Sequence, residues 1–289
     1  MVENTLHTRW RLEVPVAAED ALCAWLDDQG ASAYYREVDA PFTFYAYFPP
    51  HLEVPSAEGL KAFEGVLLLE AETFADEDWL EKSREGFGSF EVGKTFYIKP
   101  LWDEAPAPAG RTPIVVNPGL AFGTGGHETT RLCMEQLEEL AEAGRLEGPI
   151  LDIGAGTGIL ALTAFLLGAK ELTAFDADPD CGPAMEELVE LNQGVLQGRK
   201  PYDSFVGLLD NPRVNGPYSG LLANILLITI QELLPRMAEI TRPGSWLVAS
   251  GILAEQQDEA LVSLVSQGFQ PKKVLQEGAW VAILAERMS

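Results

Sequence analysis

Ile150-Leu151-Asp152-Ile153-Gly154-Ala155-Gly156-Thr157-Gly158 is the stretch whose reading decides the fold. An apolar run ends at an acid, three glycines alternate with small residues, and Ile159-Leu160-Ala161-Leu162 opens a helical pattern. The reading is strand, tight turn, helix. Glycine supplies positive φ and lets a ligand approach the backbone with no Cβ in the way. The helix start behind the turn offers N–H groups that have no partner inside the helix. Glu171-Leu172-Thr173-Ala174-Phe175-Asp176 reads as a second short strand that also ends in an acid. A glycine turn followed about 20 residues later by a strand-end carboxylate suits a nucleoside, with the acid on the ribose hydroxyls.

Spacing decides which nucleoside. The dinucleotide fingerprint is G-x-G-x-x-G, but Gly154, Gly156 and Gly158 give G-x-G-x-G, and Ile159 stands where the third glycine would fall. No basic residue lies in the turn to meet a phosphate, and Asp152 precedes it. An acidic turn suits a ligand without phosphate and with positive charge, and S-adenosylmethionine, a sulfonium with an ammonium, is such a ligand. An ordinary glycine-rich turn is the plain alternative, and Asp176 in register weighs against it.

Outward from the turn, the chain after Ile114 alternates strand and helix. Ile114-Val115-Val116 is a short strand, and Thr129 or Thr130 is expected to cap an amphipathic helix running to about Gly144. Helices follow at Ile159 to Leu167 and Gly182 to Leu196. Leu221 to Ile225 reads as a buried strand with polar Asn224 near its end, and Ile228 to Ile240 as a helix that Pro235 could kink. Ser245 to Ser250 is a strand, Glu255 to Ser266 a helix, and Lys273 to Glu277 pairs with Trp280 to Ala285 across Gly278. Repeated βα units predict an α/β fold, a doubly wound sheet with helices on both faces.

Upstream the pattern is α+β. Strands are expected at Thr8 to Val14, Ser32 to Val38, Thr43 to Phe48 and Val66 to Leu69. Helices are expected at Ala17 to Gln29 and from a Ser56 cap to about Glu64. The order βαββαβ suggests a small ferredoxin-like unit. An acidic helix from Asp76 to near Gly86 and a strand pair around Val92-Gly93 come next, then a proline-rich stretch from Pro100 to Pro113 that reads as linker or exposed loop. The expected division is 1–74, a connecting segment 75–112, and 113–289.

The chain has 289 residues, 47% hydrophobic and 22% charged, enough for a sizeable core. Its formal charge of −24 would repel nucleic acid and anionic lipid and attract a basic protein, although solubility alone could also account for it. Cys23, Cys133 and Cys181 are scattered and form no C-x-x-C, so neither a disulfide framework nor a zinc site is indicated. The start of the chain has no apolar signal-peptide core, and the run Leu221 to Ile230 is too short to span a bilayer. A soluble, cytoplasmic protein is expected.

Asn117-Pro118-Gly119-Leu120-Ala121-Phe122-Gly123-Thr124-Gly125-Gly126-His127-Glu128-Thr129-Thr130, together with Asp152 to Gly158 and Ala223-Asn224-Ile225-Leu226, resembles the bacterial methyltransferases of large-subunit ribosomal protein eleven. The resemblance extends along the whole chain. It implies a Rossmann-like class I methyltransferase domain that takes S-adenosylmethionine and methylates lysine ε-amines and the N-terminal α-amine. It also implies an N-terminal domain that recognises the substrate, a basic ribosomal protein. A monomer with no metal and no direct nucleic acid contact is expected.

By the same resemblance Phe122 and Thr130 are cofactor contacts, Gly154 and Gly156 lie under the methionine moiety, and Asp176 is the ribose acid. Asn224 stands where other amine methyltransferases begin an Asn-Pro-Pro-Tyr motif; here the sequence is Asn-Ile-Leu. Its side-chain oxygen could accept a hydrogen bond from the amine and aim the lone pair, close to the cofactor. A structural strand-end amide is the other reading. His127 could be a base, but a lone loop histidine is more often scaffold. The chain departs from the family pattern between Asp176 and Asn224, notably at Asp178 to Pro183 and Asn211 to Gly220, which bears on the adenine side. A dinucleotide oxidoreductase and a non-catalytic ribosome-associated module are the rival classes.

Overall fold

The chain divides into two units, Met1–Phe87 and Gly88–Ser289. The computed structural model describes residues 6–15, 18, 22, 23, 25, 26, 29–31, 33–36, 43–48, 54–75, 88–118 and 125–288. In the first unit four strands, β1 (Leu6–Glu13), β2 (Ala33–Arg36), β3 (Thr43–Phe48) and β4 (Leu67–Ala75), form a sheet in the order β2-β3-β1-β4. Every neighbouring pair is antiparallel, which is the arrangement of the expected βαββαβ unit. Period-2 alternation turns Trp10, Leu12, Phe44, Ala46 and Phe48 to one face, where they bury with Leu22, Leu26 and Leu60. Trp10 and Phe48 meet edge to face at 5.0 Å.

Two details differ from the sequence reading. The second helix is a tight 3₁₀ turn, Ala57–Ala62, capped as expected by the Ser56 hydroxyl, which accepts from the Glu58 amide. β4 runs on to Ala75 instead of stopping at Leu69, because it pairs along the whole of β1. Of the helix expected over 17–29, Leu22, Cys23, Trp25 and Leu26 are helical. The acidic helix expected from Asp76 lies outside the described residues.

The connecting segment expected over 75–112 does not stand apart. Ala75 ends β4 of the first unit, and residues 88–112 belong to the second, where β5 (Phe90–Val92), β6 (Phe96–Pro100) and β7 (Thr112–Val116) make a three-stranded sheet. Val92, Phe96, Ile98, Ile114 and Val116 are buried there, so the few apolar residues of this stretch are the ones that hold it. The buried carboxylate of Glu138, on helix α1 (Glu128–Glu142), accepts from the backbone amides of Lys94 and Thr95, at 2.8 Å in each case. Glu138→Ala would leave both amides without their partner in a partly buried place. A loss of about 3 kcal/mol is expected in urea unfolding; a loss under about 1 kcal/mol would show that water replaces the carboxylate at no cost.

The main sheet of the second unit has seven strands: β8 (Pro149–Ile153), β9 (Glu171–Asp176), β10 (Asp203–Val206), β11 (Tyr218–Asn224), β12 (Thr241–Leu253), β13 (Phe269–Glu277) and β14 (Trp280–Arg287). Their order is β10-β9-β8-β11-β12-β14-β13. All pairs are parallel except those of β14, which runs antiparallel to both neighbours. The remaining helices are α2 (Ile159–Leu166), α3 (Cys181–Leu191), α4 (Gln193–Leu196), α5 (Leu227–Glu239) and α6 (Gln257–Ser266). Leu151, Ile153, Leu221, Ala223, Leu247 and Ala249 bury one face with Ile230, Leu234 and Met237 of α5 and Leu264 of α6. On the other face α2 bonds to Asp152, and Gln136 of α1 donates to the Ala282 carbonyl at 2.9 Å. Helices therefore cover both faces, and the sheet is doubly wound.

β10 was not expected from the sequence: four residues give too little alternation. It is fixed by pairing with β9 and by Phe205, stacked on Phe175 at 5.3 Å. The helix expected over 182–196 breaks into α3 and α4 at Asn192. That side chain is buried; its Oδ1 accepts from the Val115 amide at 2.8 Å, and its Nδ2 donates to the Val115 carbonyl at 2.7 Å. The amide thus ties α3 to the edge of β7. The final ribbon forms across Gly278 as expected, with Glu277 opposite Trp280.

Candidate active site

β8 and β11 are sheet neighbours, yet their connections leave in opposite directions, β8 toward β9 and β11 toward β12. Ligands of open α/β sheets bind at such a reversal, beyond the carboxyl ends of the strands. The predicted residues gather there. The glycine turn follows β8, Asp176 ends β9, and Asn224 ends β11.

Gly154, Gly156 and Gly158 all have positive φ, at 68°, 55° and 82°. Gly158 is the N-cap of α2. A Cβ at Gly154 would fall on the Ile225 side chain, and one at Gly158 would lie 2.6 Å from the Tyr202 hydroxyl. The turn is thus closed from one side by residues that follow β11 and precede β10. Tyr202, which the sequence reading passed over, is held by a bond from its hydroxyl to the Met185 carbonyl at 3.0 Å.

The Asp176 carboxylate is tied to this turn. Its Oδ2 accepts from the Gly156 amide at 2.8 Å, and its Oδ1 accepts from the Asp178 amide at 3.0 Å. Each oxygen keeps a further lone pair. Asp152 lies beneath, 1% exposed, accepting from the Ala161 amide at 3.0 Å. Burial, opposed by the Ala161 bond and helped by the nearby Asp176 charge, pushes its carboxyl up to about 7.

The sign of a pH effect follows. In the folded chain Asp152 takes its proton near neutrality, whereas in the unfolded chain it stays ionised down to its ordinary value of 3.8. The folded state therefore binds the extra proton between those values, and this group's contribution to stability is lost as pH rises through about 7. Melting temperatures of wild type and Asp152→Asn, compared from about pH 8 to about pH 5, are expected to show wild type gaining on the variant as pH falls. Parallel profiles would mean that Asp152 ionises normally in the fold.

Asn224 is half-buried, and its Nδ2 donates to the Thr130 hydroxyl at 3.3 Å. Its Oδ1 is buried and has no hydrogen-bond partner among the described residues. Such an orphan is costly in a core and is found where a ligand completes the bond. Thr129 and Thr130 do not cap α1. His127 does: its Nδ1 accepts from the Thr129 amide at 3.3 Å, and its ring meets Trp280 edge on at 5.0 Å. His127 is scaffold in this arrangement, and Thr130, 1% exposed, is free to serve Asn224. Phe122 lies outside the described residues. No group of three metal-ligating side chains occurs among the described residues.

The donor set fits a cationic nucleoside. The Asp176 carboxylate is bonded to the turn, residues 154–158 contain no base, and the Gly154 position has no room for a side chain. Two cavities, of about 320 and 410 Å³, open at the opposite, amino-terminal edge of the sheet beside Trp246 and Tyr218. We place the site by the strand reversal and the orphaned amide oxygen, because the cavities contain none of these groups.

Residues 16–288 match the family described as ribosomal protein L11 methyltransferase (PrmA). The chain belongs to that family. The ribosomal protein L11 methyltransferase of Synechococcus elongatus is 33% identical over 294 residues, covering 96% of each chain. That of Geobacter metallireducens is 33% identical over 300 residues, covering 94% of this chain and 95% of the relative. A crystal structure of ribosomal protein L11 methylase from Lactobacillus delbrueckii subsp. bulgaricus superposes with a TM-score of 0.59 at 26% identity, over 70% of this chain and all of that one. Membership carries with it the class I methyltransferase fold and methyl transfer from S-adenosylmethionine. No helix among the described residues is long and apolar enough to cross a membrane.

Proposed function

We propose that this chain methylates ribosomal protein L11, at lysine ε-amines and at the N-terminal α-amine, and that Asn224 orients the amine. The observation that carries this reading is the partnerless, buried Oδ1 of Asn224 at the end of β11, two strands from Asp176 and next to the glycine turn. Gly154, Gly156 and Asp176 would hold the cofactor, with Thr130 and Phe122 beside it. When bound, S-adenosylmethionine supplies an electrophilic methyl group on a sulfonium. The chain's part is positional. Thr130 accepts from the Asn224 Nδ2, and in this arrangement Oδ1 is left to accept an N–H from the substrate amine. An amine that donates to Oδ1 has its lone pair fixed relative to that bond, and such alignment supplies a large part of a displacement's rate.

A lysine is protonated at neutral pH, with an ordinary pKa of about 10.4, and only the neutral amine has a lone pair. Asn224, Thr130 and Ile225 carry no charge, so burial of the amine against them disfavours the charged form. The proton leaves to water before transfer.

The first unit would recognise the substrate, and the −24 charge would draw in a basic protein. Cytoplasmic action as a monomer completes the reading. Mass spectrometry of L11 after incubation with the chain and S-adenosylmethionine should show added methyl groups. Calorimetry should show S-adenosylmethionine binding and no NAD binding. Binding of NAD alone, or unmodified L11, would overturn the proposal. L11 affinity is also expected to weaken from low to moderate salt, and a salt-independent affinity would remove the steering argument.

A further inference from the structure

Four large apolar side chains stay in water at the carboxyl edge of the main sheet. Val206, which ends β10, and Leu208 beyond it are 43% and 61% exposed, and Leu226 and Ile228, after β11, are 64% and 60% exposed. Between the latter two, Leu227 is buried, as is Ile230 beyond them. The exposure therefore belongs to two positions and is not general fraying of the helix start. Leu226 is also the N-cap of α5, where it offers no side-chain acceptor, and the first turn of α5 holds no acid. A serine or aspartate there would satisfy an amide and remove exposed apolar surface at once. Two local rules are broken at the same place, and such breaches mark function.

We propose that Leu226 and Ile228 form an apolar lip that receives the alkyl portion of the substrate polypeptide next to the target amine. The inference rests on the amine methyltransferase reading given above. The strand order sets the occupant. Asp176 on β9 takes the nucleoside end, the turn after β8 comes next, and β11 lies on the far side of β8 from Asp176. What meets Leu226 and Ile228 is then the substrate, two and four residues beyond the amide that holds its amine. From Asn224 to Ile230 there is no charged residue, in a chain of net charge −24. An ammonium finds no partner on this rim, whereas the methylenes of a lysine stem or an adjoining aliphatic side chain do.

The test compares wild type with the double variant Leu226→Ser, Ile228→Ser on the full-length chain. Both side chains are exposed, so melting should be unchanged or slightly higher, the serine at 226 being a better cap. KM for L11 is expected to rise roughly tenfold, with kcat within about twofold and S-adenosylmethionine affinity unchanged in calorimetry. Leu226→Met with Ile228→Leu should restore KM, and the difference should persist at moderate salt. A double variant with wild-type KM overturns the lip alone. A wild-type chain that binds S-adenosylmethionine but leaves L11 unmodified overturns the functional reading, and the lip with it.

Discussion

Asn224→Ala is expected to lower kcat on L11 by roughly 10²- to 10³-fold, the range seen when one positioned polar group is removed from a reacting centre. S-adenosylmethionine affinity should stay within about threefold, because the groups that would hold the nucleoside sit on β8 and β9. The size follows from what the side chain does. Oδ1 is buried and partnerless, and Nδ2 is engaged by Thr130 at 3.3 Å, so the amide is already set before substrate arrives. Removing it costs orientation at the transition state and not ground-state binding, so kcat and kcat/KM should fall together. The pH profile separates this from a structural effect. If the amine must lose its proton before transfer, kcat/KM rises with pH, and the slope should be the same in Asn224→Ala, since Asn224 holds no proton of its own. Wild-type kcat in the variant would make Asn224 a strand-end amide and nothing more.

The parts of this site that were legible in the sequence are those that depend on backbone geometry. Gly154-Ala155-Gly156-Thr157-Gly158 announces a turn with positive φ because only glycine takes that conformation freely, and the turn has it at all three glycines. Asp176 was legible because it ends an apolar run about 20 residues after the turn, and Asn224 through the family resemblance of Ala223-Asn224-Ile225-Leu226. What was not legible depends on contacts far apart in sequence. Nothing near His127 says that its ring, and not the Thr129 or Thr130 hydroxyl, caps α1; the contact with Trp280 settles that choice. The helix break at Asn192 answers to Val115, and the sheet of β5, β6 and β7 is fastened to the larger unit by Glu138. The proline-rich stretch from 100 to 113, read as linker or exposed loop, is an exposed loop over residues 101–111, and the parallel pairing of β6 with β7 on either side of it was not legible. Asp152 was read as a charge in the loop. It is a buried carboxyl near neutrality, and burial is invisible to a pattern of residue types.

Asp176→Ala is expected to raise the Kd for S-adenosylmethionine by roughly 10²-fold or more. A carboxylate that accepts from two hydroxyls makes two charge-assisted bonds, each worth about 1.5–3 kcal/mol, and about 2.8 kcal/mol is already a hundredfold. The structure has prepared this carboxylate. The Gly156 amide holds Oδ2 and the Asp178 amide holds Oδ1, so little freedom remains to be lost on binding, and the remaining lone pairs have fixed directions. Because the same alanine also frees the Gly156 amide, loss of affinity alone would not separate ribose contact from turn support. An analogue with one ribose hydroxyl removed does separate them. Against wild type the deoxy analogue should bind roughly tenfold more weakly; against Asp176→Ala the two ligands should bind alike, a coupling of about 1.4 kcal/mol. Equal discrimination by both proteins would place the sugar elsewhere and leave Asp176 a brace for the turn. A second consequence reaches Asp152, whose carboxyl the Asp176 charge helps to keep neutral. Once that charge is gone, Asp152 ionises at lower pH, and the pH at which the melting temperature falls should move down with it.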